Sequence, residues 1–466
     1  MAIARTNTRP AGEGLQGEVI RPGDAGYDAA RKVWNGMFDR RPALITRCAN
    51  VDDVRAAVRY ARANRLSAAV RGGGHSFSGQ SAIEGGLLID LSGLKAIEVD
   101  VVGGTARAQG GVLWGEFDKA TQAHGLATTG GLVSTTGIAG LTLGGGIGWL
   151  MRKHGLTIDN LLSVELVTAD GEVLRASASE NADLFWGVRG GGGNFGIVTS
   201  FEYQLHPLGP IIMGGLALYP AAQARDVLRF YREWTPTLPD ALSTMAAFLT
   251  APPLPFIPAP LHGTPVIAII ACHAGSVEEG LELVKPLKSF GPPAVDLLGP
   301  MPYVALQGMF DEGAPHGWQY YAKAEYLQGL DDATIETFVA HAAQMESPLS
   351  AIHIHQLGGA VARVGDAETA FGKRGAPYLM NIPTAWIDPA ESERHTRWAR
   401  GLWSAMQPHS YGGAYLNFLG DEGAERVRAA YGAAKYDRLV ALKNRYDPTN
   451  FFRFNQNIAP TTQPGW

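Results

Sequence analysis

The sequence predicts a large α+β protein with more than one domain. Its 466 residues are enough for two or three domains of ordinary size and a large core. In the first 208 residues, short apolar runs typical of strands alternate with segments whose apolar residues recur at helical spacing. From about residue 209 to residue 435 the chain changes character and carries most of the aromatic residues and prolines. We therefore expect a domain boundary near residue 208.

The first half yields its elements in chain order. Asn50 is expected to cap a helix whose apolar face begins at Val54. A further helix is predicted over Val112–Ala123 and a short one over Ala182–Gly187. Strands are predicted over Leu66–Val70, Leu87–Leu91, Ala96–Val101, Val164–Thr168, Val173–Ala176 and Ile197–Leu205. The two strands that flank Ala169-Asp170-Gly171 are expected to form a hairpin.

Composition and charge exclude several classes of protein. The chain has 39 Lys and Arg against 44 Asp and Glu, a formal net charge of -5, so it lacks the basic excess of a nucleic-acid binder. The two cysteines, Cys48 and Cys272, exclude a disulfide framework and a multi-cysteine metal site. We therefore expect a small-molecule partner and no nucleic acid.

Targeting and membrane signals are not expected. The opening MAIARTNTRP lacks the apolar core of a signal peptide, so a cytoplasmic protein is the default expectation. The uncharged stretches Gly131–Met151 and Ala251–Gly275 are interrupted by glycine, hydroxyl residues or proline, and neither is predicted to cross a membrane.

Glycine is the most informative residue type. There are 59 glycines, about 13% of the chain against a usual 7%, and many fall in three clusters. The clusters are RGGGHSFSG (Arg71–Gly79), the segment Gly130–Gly148 and RGGGGNFGIV (Arg189–Val198). Glycine can take a positive φ and bring backbone N–H groups close to a ligand. The clusters predict either a large phosphate-bearing ligand or a set of tight turns.

The third cluster contains a formal GxGxxG motif at Gly191, Gly193 and Gly196. A dinucleotide-binding fingerprint must follow a strand and open a helix, because the helix N-terminus holds the pyrophosphate. Here a predicted helix precedes the motif and a predicted strand follows it. We therefore reject a Rossmann fold.

Four motifs together carry a family resemblance. They are RGGGHSFSG, LGGGIGWLMRKHGL, RGGGGNFGIV and the C-terminal YDPTNFFRFNQNI. In this order they resemble the berberine-bridge-enzyme-like branch of the vanillyl-alcohol-oxidase superfamily. The resemblance implies a two-part PCMH-type FAD-binding domain over residues 1–208, with its core at about 40–208. It also implies a substrate domain over 209–435, with an antiparallel sheet backed by helices, and a return to the FAD domain over 436–466.

The resemblance implies FAD bound covalently through His75 to the 8α-methyl carbon of the flavin. Many members of the branch add a second link from a cysteine, but Val133 occupies that position here, so a single attachment is expected. The other residues expected around the cofactor are Arg71, Gly72, Gly73, Gly74, Ser76, Ser78, Gly79, Gly137, Gly140, Gly144, Gly145, Gly146, Gly148, Gly196, Ile197, Val198, Asn455 and Asn457.

The substrate domain supplies the expected catalytic residues. GGAYLNF resembles the family's YxN motif, and Tyr415 and Asn417 are expected to share one face of a strand over Ala414–Phe418. Tyr415 needs a lowered pKa to accept a proton near neutral pH, which a nearby cation or the flavin environment would have to provide. Lys323 is a candidate for that cation, with Tyr321 on the same face. Further strands are predicted over Val266–Ala271, Tyr320–Leu327, Ala351–Leu357 and Tyr378–Ile382.

An HxH pair lies on one of these strands. Side chains two residues apart share a strand face, so His353 and His355 are expected to point the same way. They are candidates for binding substrate in the cavity. A metal site and ordinary packing remain alternatives, and no third metal ligand is placed by the sequence.

The predicted function is oxidation of an alcohol or amine of aromatic or secondary-metabolite type, by hydride transfer to flavin N5 and reoxidation by O2. A monooxygenase or an acceptor-linked dehydrogenase on the same scaffold is an alternative, as is a module that binds a nucleotide or carbohydrate without turnover. A monomer or a homodimer is expected.

Overall fold

The computed structural model describes residues 15–461. The opening segment MAIARTNTRP therefore lies outside the described residues. The described chain forms a four-stranded sheet, a five-stranded sheet and an eight-stranded sheet, all with helices packed against them. Helices and strands are both abundant, which confirms the predicted α+β class.

The four-stranded sheet contains the strands Glu18–Ile20, Leu44–Arg47, Leu87–Asp90 and Ala68–Arg71, in that order. The last three are parallel and the first is antiparallel to its neighbour. The helix Val51–Ala63 lies against this sheet, and the side chain of Asn50 accepts a hydrogen bond from the Asp53 N–H. The predicted cap is thereby confirmed. The strand Ala68–Arg71 ends where the first glycine cluster begins.

The five-stranded sheet is antiparallel throughout. Its strands, in spatial order, are Ile97–Asp100, Thr105–Gln109, Ile197–Gln204, Leu161–Val167 and Val173–Ser177. The predicted hairpin is confirmed, and Gly171 in its turn has a φ of +75°. The sheet shares one core with the helices Trp114–Gln122, Ala182–Val188, Ala424–Tyr431 and Ala433–Tyr446. The C-terminal helices thus pack on the first half of the chain.

The eight-stranded sheet, here called the large sheet, is also antiparallel. Its strands, in spatial order, are Val295–Asp296, Ile211–Pro220, Pro265–His273, Leu242–Thr250, Ile352–Gln356, Tyr378–Trp386 and Gln319–Leu327, with Gly299–Pro302 also paired to Ile211–Pro220. One face packs against the helices Ala224–Trp234, Val277–Phe290, Asp332–Ala342 and Ser392–Ala405. Because side chains alternate between faces, the other face is turned toward the glycine-rich half of the chain.

Short elements connect these layers. They are the helices Tyr27–Ala30, Ile138–Leu143, Met151–His154, Tyr303–Gln307 and Ala360–Arg363, and the strand pair Leu126–Ala127 and His206–Pro207. No helix within residues 15–461 is both long and apolar enough to span a bilayer.

One predicted strand is wrong. The segment Ala414–Phe418 forms no strand and instead ends in the short 3₁₀-helix Leu416–Phe418. Gly412 and Gly413 both have positive φ values, +86° and +85°, which turn the chain away from an extended path. The segment therefore packs against the glycine-rich half of the chain and is not a strand of the large sheet.

Candidate active site

A cavity of about 910 Å³ lies between the glycine clusters and the large sheet. This volume is at the upper end of the roughly 300 to 1,000 Å³ that small-molecule and cofactor sites occupy. Residues of all three glycine clusters, of the large sheet and of the C-terminal tail line it. Phe256 and Glu312 also line it and are exposed to solvent, so they mark an opening.

The glycines around the cavity serve two different purposes. Gly73 and Gly137 pack backbone against backbone, and a Cβ on either would overlap the main chain of the other. In contrast, a Cβ on Gly140 or Gly193 would meet no protein atom within 4 Å. These two face open space in the cavity, so a ligand can approach their backbone closely. The clusters therefore contain glycines that pack tightly against protein and glycines whose backbone a ligand can approach.

Most of the predicted cofactor residues do line the cavity. They are Gly72, Gly73, Gly74, His75, Ser76, Ser78, Gly137, Gly140, Gly144, Gly196, Ile197, Val198 and Asn455. The Ser76 and Ser78 hydroxyl oxygens lie 2.9 Å apart, and the Asn455 amide nitrogen donates to the carbonyls of Gly193 and Phe452.

Six predicted cofactor residues lie behind the cavity wall: Arg71, Gly79, Gly145, Gly146, Gly148 and Asn457. Arg71 is held by Asp90, with 2.7 Å between Nη2 and Oδ2, and it donates to the Lys32 carbonyl. The glycines among them are packed against neighbours, as Gly145 is against Phe371. Direct cofactor contact stays a prediction for these residues, since a motif does not tell which of its members pack against protein.

His75 lies at one end of a ring stack that has Trp34 in the middle and Tyr320 at the other end. Its imidazole stacks on Trp34 at 4.0 Å between ring centres, and the other face of Trp34 stacks on Tyr320 at 3.7 Å. Nε2 of His75 is buried and has no hydrogen-bond partner. Burial, with a smaller contribution from His316, lowers the pKa of His75 to about 3. The imidazole is therefore uncharged at neutral pH.

Sequence reasoning did not identify Trp34 and Tyr320 as site residues. The Trp34 indole N–H donates to the Ala314 carbonyl at 2.8 Å, and the Tyr320 hydroxyl donates to the Pro315 carbonyl at 2.6 Å. Both bonds anchor the loop next to the cavity opening. Trp34 is 280 residues from its partner Ala314 and lies in no motif, so the sequence offered no signal for it.

The Tyr415 hydroxyl oxygen lies at the cavity wall and accepts three hydrogen bonds. The donors are the N–H groups of Gly146 at 3.0 Å and Ile147 at 3.2 Å, and the Asn417 amide at 2.8 Å. The same Asn417 nitrogen also donates to the Leu141 carbonyl at 2.9 Å, which fixes the direction of the amide. The predicted Tyr415–Asn417 pair is therefore present, although no strand carries it.

The environment of Tyr415 pulls its pKa in two directions. Burial is the larger effect and raises the pKa to about 12, while the three hydrogen bonds oppose it. Among the described residues, no cationic side chain lowers the pKa of this hydroxyl, although a nearby cation was one of the two influences expected from the sequence.

Lys323 and Tyr321 were expected near Tyr415, and this expectation is wrong. The Lys323 ammonium lies 2.6 Å from Glu422 and over the ring of Trp403, while the Tyr321 hydroxyl accepts from Arg400. Both side chains point toward the helices that cover the large sheet. The strand itself was predicted well. Side chains alternate along it, so Tyr320 faces the cavity whereas Tyr321 and Lys323 face the helices.

His353 and His355 both line the cavity from the strand Ile352–Gln356, as their spacing predicted. Asn381, which the sequence analysis missed, is the direct cross-strand neighbour of His353. We call His353, His355 and Asn381 the polar trio. Nε2 of His355 and the amide oxygen of Asn381 are buried and lack hydrogen-bond partners. Within residues 15–461 no group of three or more His, Cys, Asp or Glu side chains is arranged to bind a metal.

The segment near Val133 is held by a carboxylate. Val133 lines the cavity, and the next residue, Ser134, donates from both its N–H and its hydroxyl to Asp311 at 2.8 and 2.5 Å. Cys48 and Cys272 are buried elsewhere and do not line the cavity. No thiol among the described lining residues can therefore form a second bond to a cofactor.

The lining fits a large nucleotide cofactor. Open space faces the backbone of Gly140 and Gly193, hydroxyl groups of Ser76 and Ser78 line the same wall, and an unpartnered imidazole nitrogen lies beside them. Backbone N–H groups and hydroxyls can bind phosphate without a lysine or a metal ion. These features match what FAD requires.

Comparison with known protein families agrees with this geometry. Residues 42–177 match the family described as FAD binding domain, and residues 414–459 match the family described as berberine and berberine like. An FAD-linked oxidoreductase of Dictyostelium discoideum is 33% identical over 456 residues, which are 96% of both chains. The (R)-6-hydroxynicotine oxidase of Paenarthrobacter nicotinovorans is 34% identical over 460 residues, 96% of this chain and 97% of that one.

Solved structures show the same architecture. The 6-hydroxy-D-nicotine oxidase of Arthrobacter nicotinovorans superposes with a TM-score of 0.88 at 29% identity, over 97% of this chain and 99% of that one. The BBE-like 1 protein of Physcomitrella patens gives a TM-score of 0.86 at 24% identity, over 96% and 98%, and shows the shared fold. The chain therefore belongs to the berberine-bridge-enzyme-like branch of the PCMH-type FAD-binding superfamily and is an FAD-linked oxidoreductase.

Proposed function

We propose that this oxidoreductase holds FAD through one covalent bond to His75 and oxidises a small alcohol or amine with O2 as the electron acceptor. The observation that carries the proposal is the His75 imidazole, whose Nε2 is buried at the cavity wall without a partner. Burial keeps the ring uncharged, so a nitrogen lone pair is available for bond formation. The new C–N bond would replace one C–H bond of the 8α-methyl group and the N–H bond of the ring, and O2, the proposed acceptor, would take up the two electrons released. Stacking on Trp34 fixes the plane of the ring.

The remaining cofactor contacts are assigned to the cavity wall. Backbone N–H groups near Gly140 and Gly193, with the Ser76 and Ser78 hydroxyls, would hold the phosphates and the polar chain of the cofactor. Asn455 lines the same cavity from the C-terminal tail. When bound, FAD supplies the acceptor for the hydride that leaves the substrate carbon.

Tyr415 is proposed to receive the proton that leaves the substrate hydroxyl or amine. Its oxygen reaches the cavity and is surrounded by three N–H donors, an arrangement that stabilises negative charge on a phenolate. Asn417 positions that oxygen, because its amide bridges Tyr415 and the Leu141 carbonyl. His353, His355 and Asn381 contact the substrate from the large sheet.

The experiment that tests the oxidase proposal is turnover of alcohols and amines by the holoenzyme under air and under argon. Equal amounts of substrate consumed and hydrogen peroxide released, with turnover stopped by argon, are expected. Turnover under argon with a dye acceptor but none with O2 would replace the oxidase by a dehydrogenase. Isotope from ¹⁸O2 in the organic product would instead indicate a monooxygenase.

A further inference from the structure

The cavity lining is unusually poor in charge. Among the described residues that line it there is no Lys, Arg or Asp, and the one carboxylate, Glu312, lies at the exposed opening. The charged side chains of the strand Gln319–Leu327 point to the other face of the large sheet, where Lys323 pairs with Glu422 and Glu325 with Arg426. A ligand in the interior of the cavity therefore meets no side chain of opposite charge.

The imidazoles of the polar trio do not supply that charge. Burial lowers the pKa of His353 to about 4, and burial together with His353 holds the pKa of His355 well below its usual range. Both rings are thus uncharged near neutral pH. An uncharged imidazole donates one hydrogen bond and accepts another, and an amide does both as well.

The polar trio is the main polar feature of an otherwise apolar wall. Its neighbours on the same face of the large sheet are Leu216, Leu218, Ala247, Leu249, Ala268, Ile270 and Pro383. Phe310 lies against His353 and Phe418 against His355, with ring centres 5.7 and 6.0 Å apart. His355 and Asn381 are only 3% and 4% exposed, yet each keeps one polar atom without a partner. A buried polar atom without a partner is costly, so these atoms are poised for a ligand.

We infer that the substrate is an uncharged, largely apolar ring compound bearing a hydroxyl group, and that the polar trio holds this polar group. The inference rests on the proposed function and adds to its substrate a hydroxyl group that the polar trio binds, separate from the group whose proton Tyr415 receives. A hydroxyl both donates and accepts, so it can satisfy the Asn381 oxygen and the His355 nitrogen. An ammonium or a carboxylate would be buried without a counter-ion, which costs several kcal/mol unless the group loses its charge.

The experiment uses four probes of nearly equal size with the holoenzyme at neutral pH: 2-naphthalenemethanol, 2-naphthylmethylammonium, 2-naphthoate and 2-methylnaphthalene. Calorimetric titration under argon, with the flavin reduced beforehand so that no probe is oxidised, gives each dissociation constant. We expect the alcohol to bind at least about tenfold more tightly than either ion, since the ions bury an unpaired charge. An ion that binds as tightly as the alcohol, or failure of the alcohol to bind, would overturn the inference.

Variants test whether the polar trio is responsible. Asn381→Leu and His355→Phe are each expected to weaken alcohol binding about fivefold and to leave 2-methylnaphthalene unchanged, because each removes one hydrogen bond. The matched control is Ile382→Val, on the same strand but in the core on the helix side, which should leave all four constants unchanged. If either variant fails to fold, His355→Gln is tested in its place. Equal weakening of the alcohol and the hydrocarbon would contradict the role of the polar trio.

The flavin content of the same samples distinguishes a failure of the substrate inference from a failure of the proposed function. A flavin-containing enzyme that prefers an ion would contradict the substrate class and leave the proposed function standing. A chain that takes up no FAD would contradict the proposed function, while the titration would still report the charge preference of the cavity.

Discussion

Two opposing effects set the pKa of the Tyr415 hydroxyl. Burial favours the protonated phenol, whereas the N–H groups of Gly146, Ile147 and Asn417 favour the phenolate. Burial prevails, so the phenol is protonated near neutral pH. A base that must first lose its own proton is present in its active form more often as the pH rises.

This balance predicts the pH dependence of the enzyme. If Tyr415 accepts the substrate proton, log(kcat/KM) should increase with pH from neutrality toward pH 10, because the pKa lies near 12. Tyr415→Phe should lower kcat/KM by about 10² to 10⁴ and remove this dependence. Steady-state kinetics across pH provide the measurement.

Tyr326→Phe is the matched control, because Tyr326 packs in the same apolar cluster as Tyr415 but does not line the cavity. It should keep both the rate and the pH dependence. A Tyr415→Phe enzyme within threefold of the unaltered rate would exclude Tyr415 as the proton acceptor.

The sequence predicted individual residues well where a local pattern contained them. The Asn50 cap, the His353 and His355 pair and the position of His75 at the cavity all follow from patterns within a few residues. Lys323 failed, although its strand was predicted within one residue at its start, because the choice of face depends on which side of the sheet is covered by helices. Trp34 could not be predicted, since its partners are brought together only by the fold.

At the scale of elements, the glycine-rich segments determine the shape of the cavity. Gly137 precedes the helix Ile138–Leu143 and packs against Gly73, whereas Gly140 within that helix faces the cavity. Sequence could locate these segments but could not sort packed glycines from ligand-facing ones, because both kinds look alike in a motif. The same applies to Ala414–Phe418, where two positive-φ glycines overrode a strand pattern.

Two glycine substitutions should therefore behave oppositely. Gly140→Ala meets no protein atom and replaces a glycine within a helix, so we expect a folded protein, up to about 1 kcal/mol more stable without flavin, that binds little FAD. Gly73→Ala overlaps the Gly137 backbone, so we expect loss of stability itself. Denaturant unfolding and the ratio of flavin to protein absorbance distinguish the two effects. Full flavin content in Gly140→Ala would contradict the ligand-facing role of this helix.

At the scale of the whole molecule, buried imidazoles link folding to pH. Burial lowers the pKa of His353 to about 4 and holds that of His355 well below its usual range, whereas an unfolded histidine has a pKa of about 6.5. The unfolded chain therefore binds more protons between these values. The stabilisation is complete above pH 6.5 and is lost as the pH falls toward the folded-state pKa values.

We accordingly expect the free energy of unfolding to decrease between pH 6.5 and pH 4. Protonation of His353 alone should lower the free energy of unfolding by about 1 to 2 kcal/mol at pH 5. This is less than the full pKa shift would give, because the ring is partly exposed to the cavity. His353→Gln should make the decrease shallower, and the exposed His124→Gln serves as the control for replacing a histidine. Urea unfolding of the holoenzyme at several pH values is the measurement, and identical slopes for the unaltered and His353→Gln proteins would refute this assignment.

The overall architecture was the most predictable level. Four short motifs indicated the superfamily and its α+β fold, and the fold of known relatives then fixed how the large sheet faces the glycine clusters. The division into residues 1–208, 209–435 and 436–466 stays a prediction. The charge-poor interior of the cavity could not have been predicted, because it depends on which face of each strand the charged residues occupy.

The claim of a single covalent bond between His75 and FAD can be checked by acid precipitation of the purified protein followed by peptide mass analysis. We expect a yellow pellet and flavin mass on the peptide that contains His75. We also expect that His75→Ala releases its flavin to the supernatant, whereas replacement of His316, a nearby histidine outside the cavity lining, by Ala retains it. Flavin confined to the supernatant of the unaltered protein, with an unmodified His75 peptide, would contradict the claim.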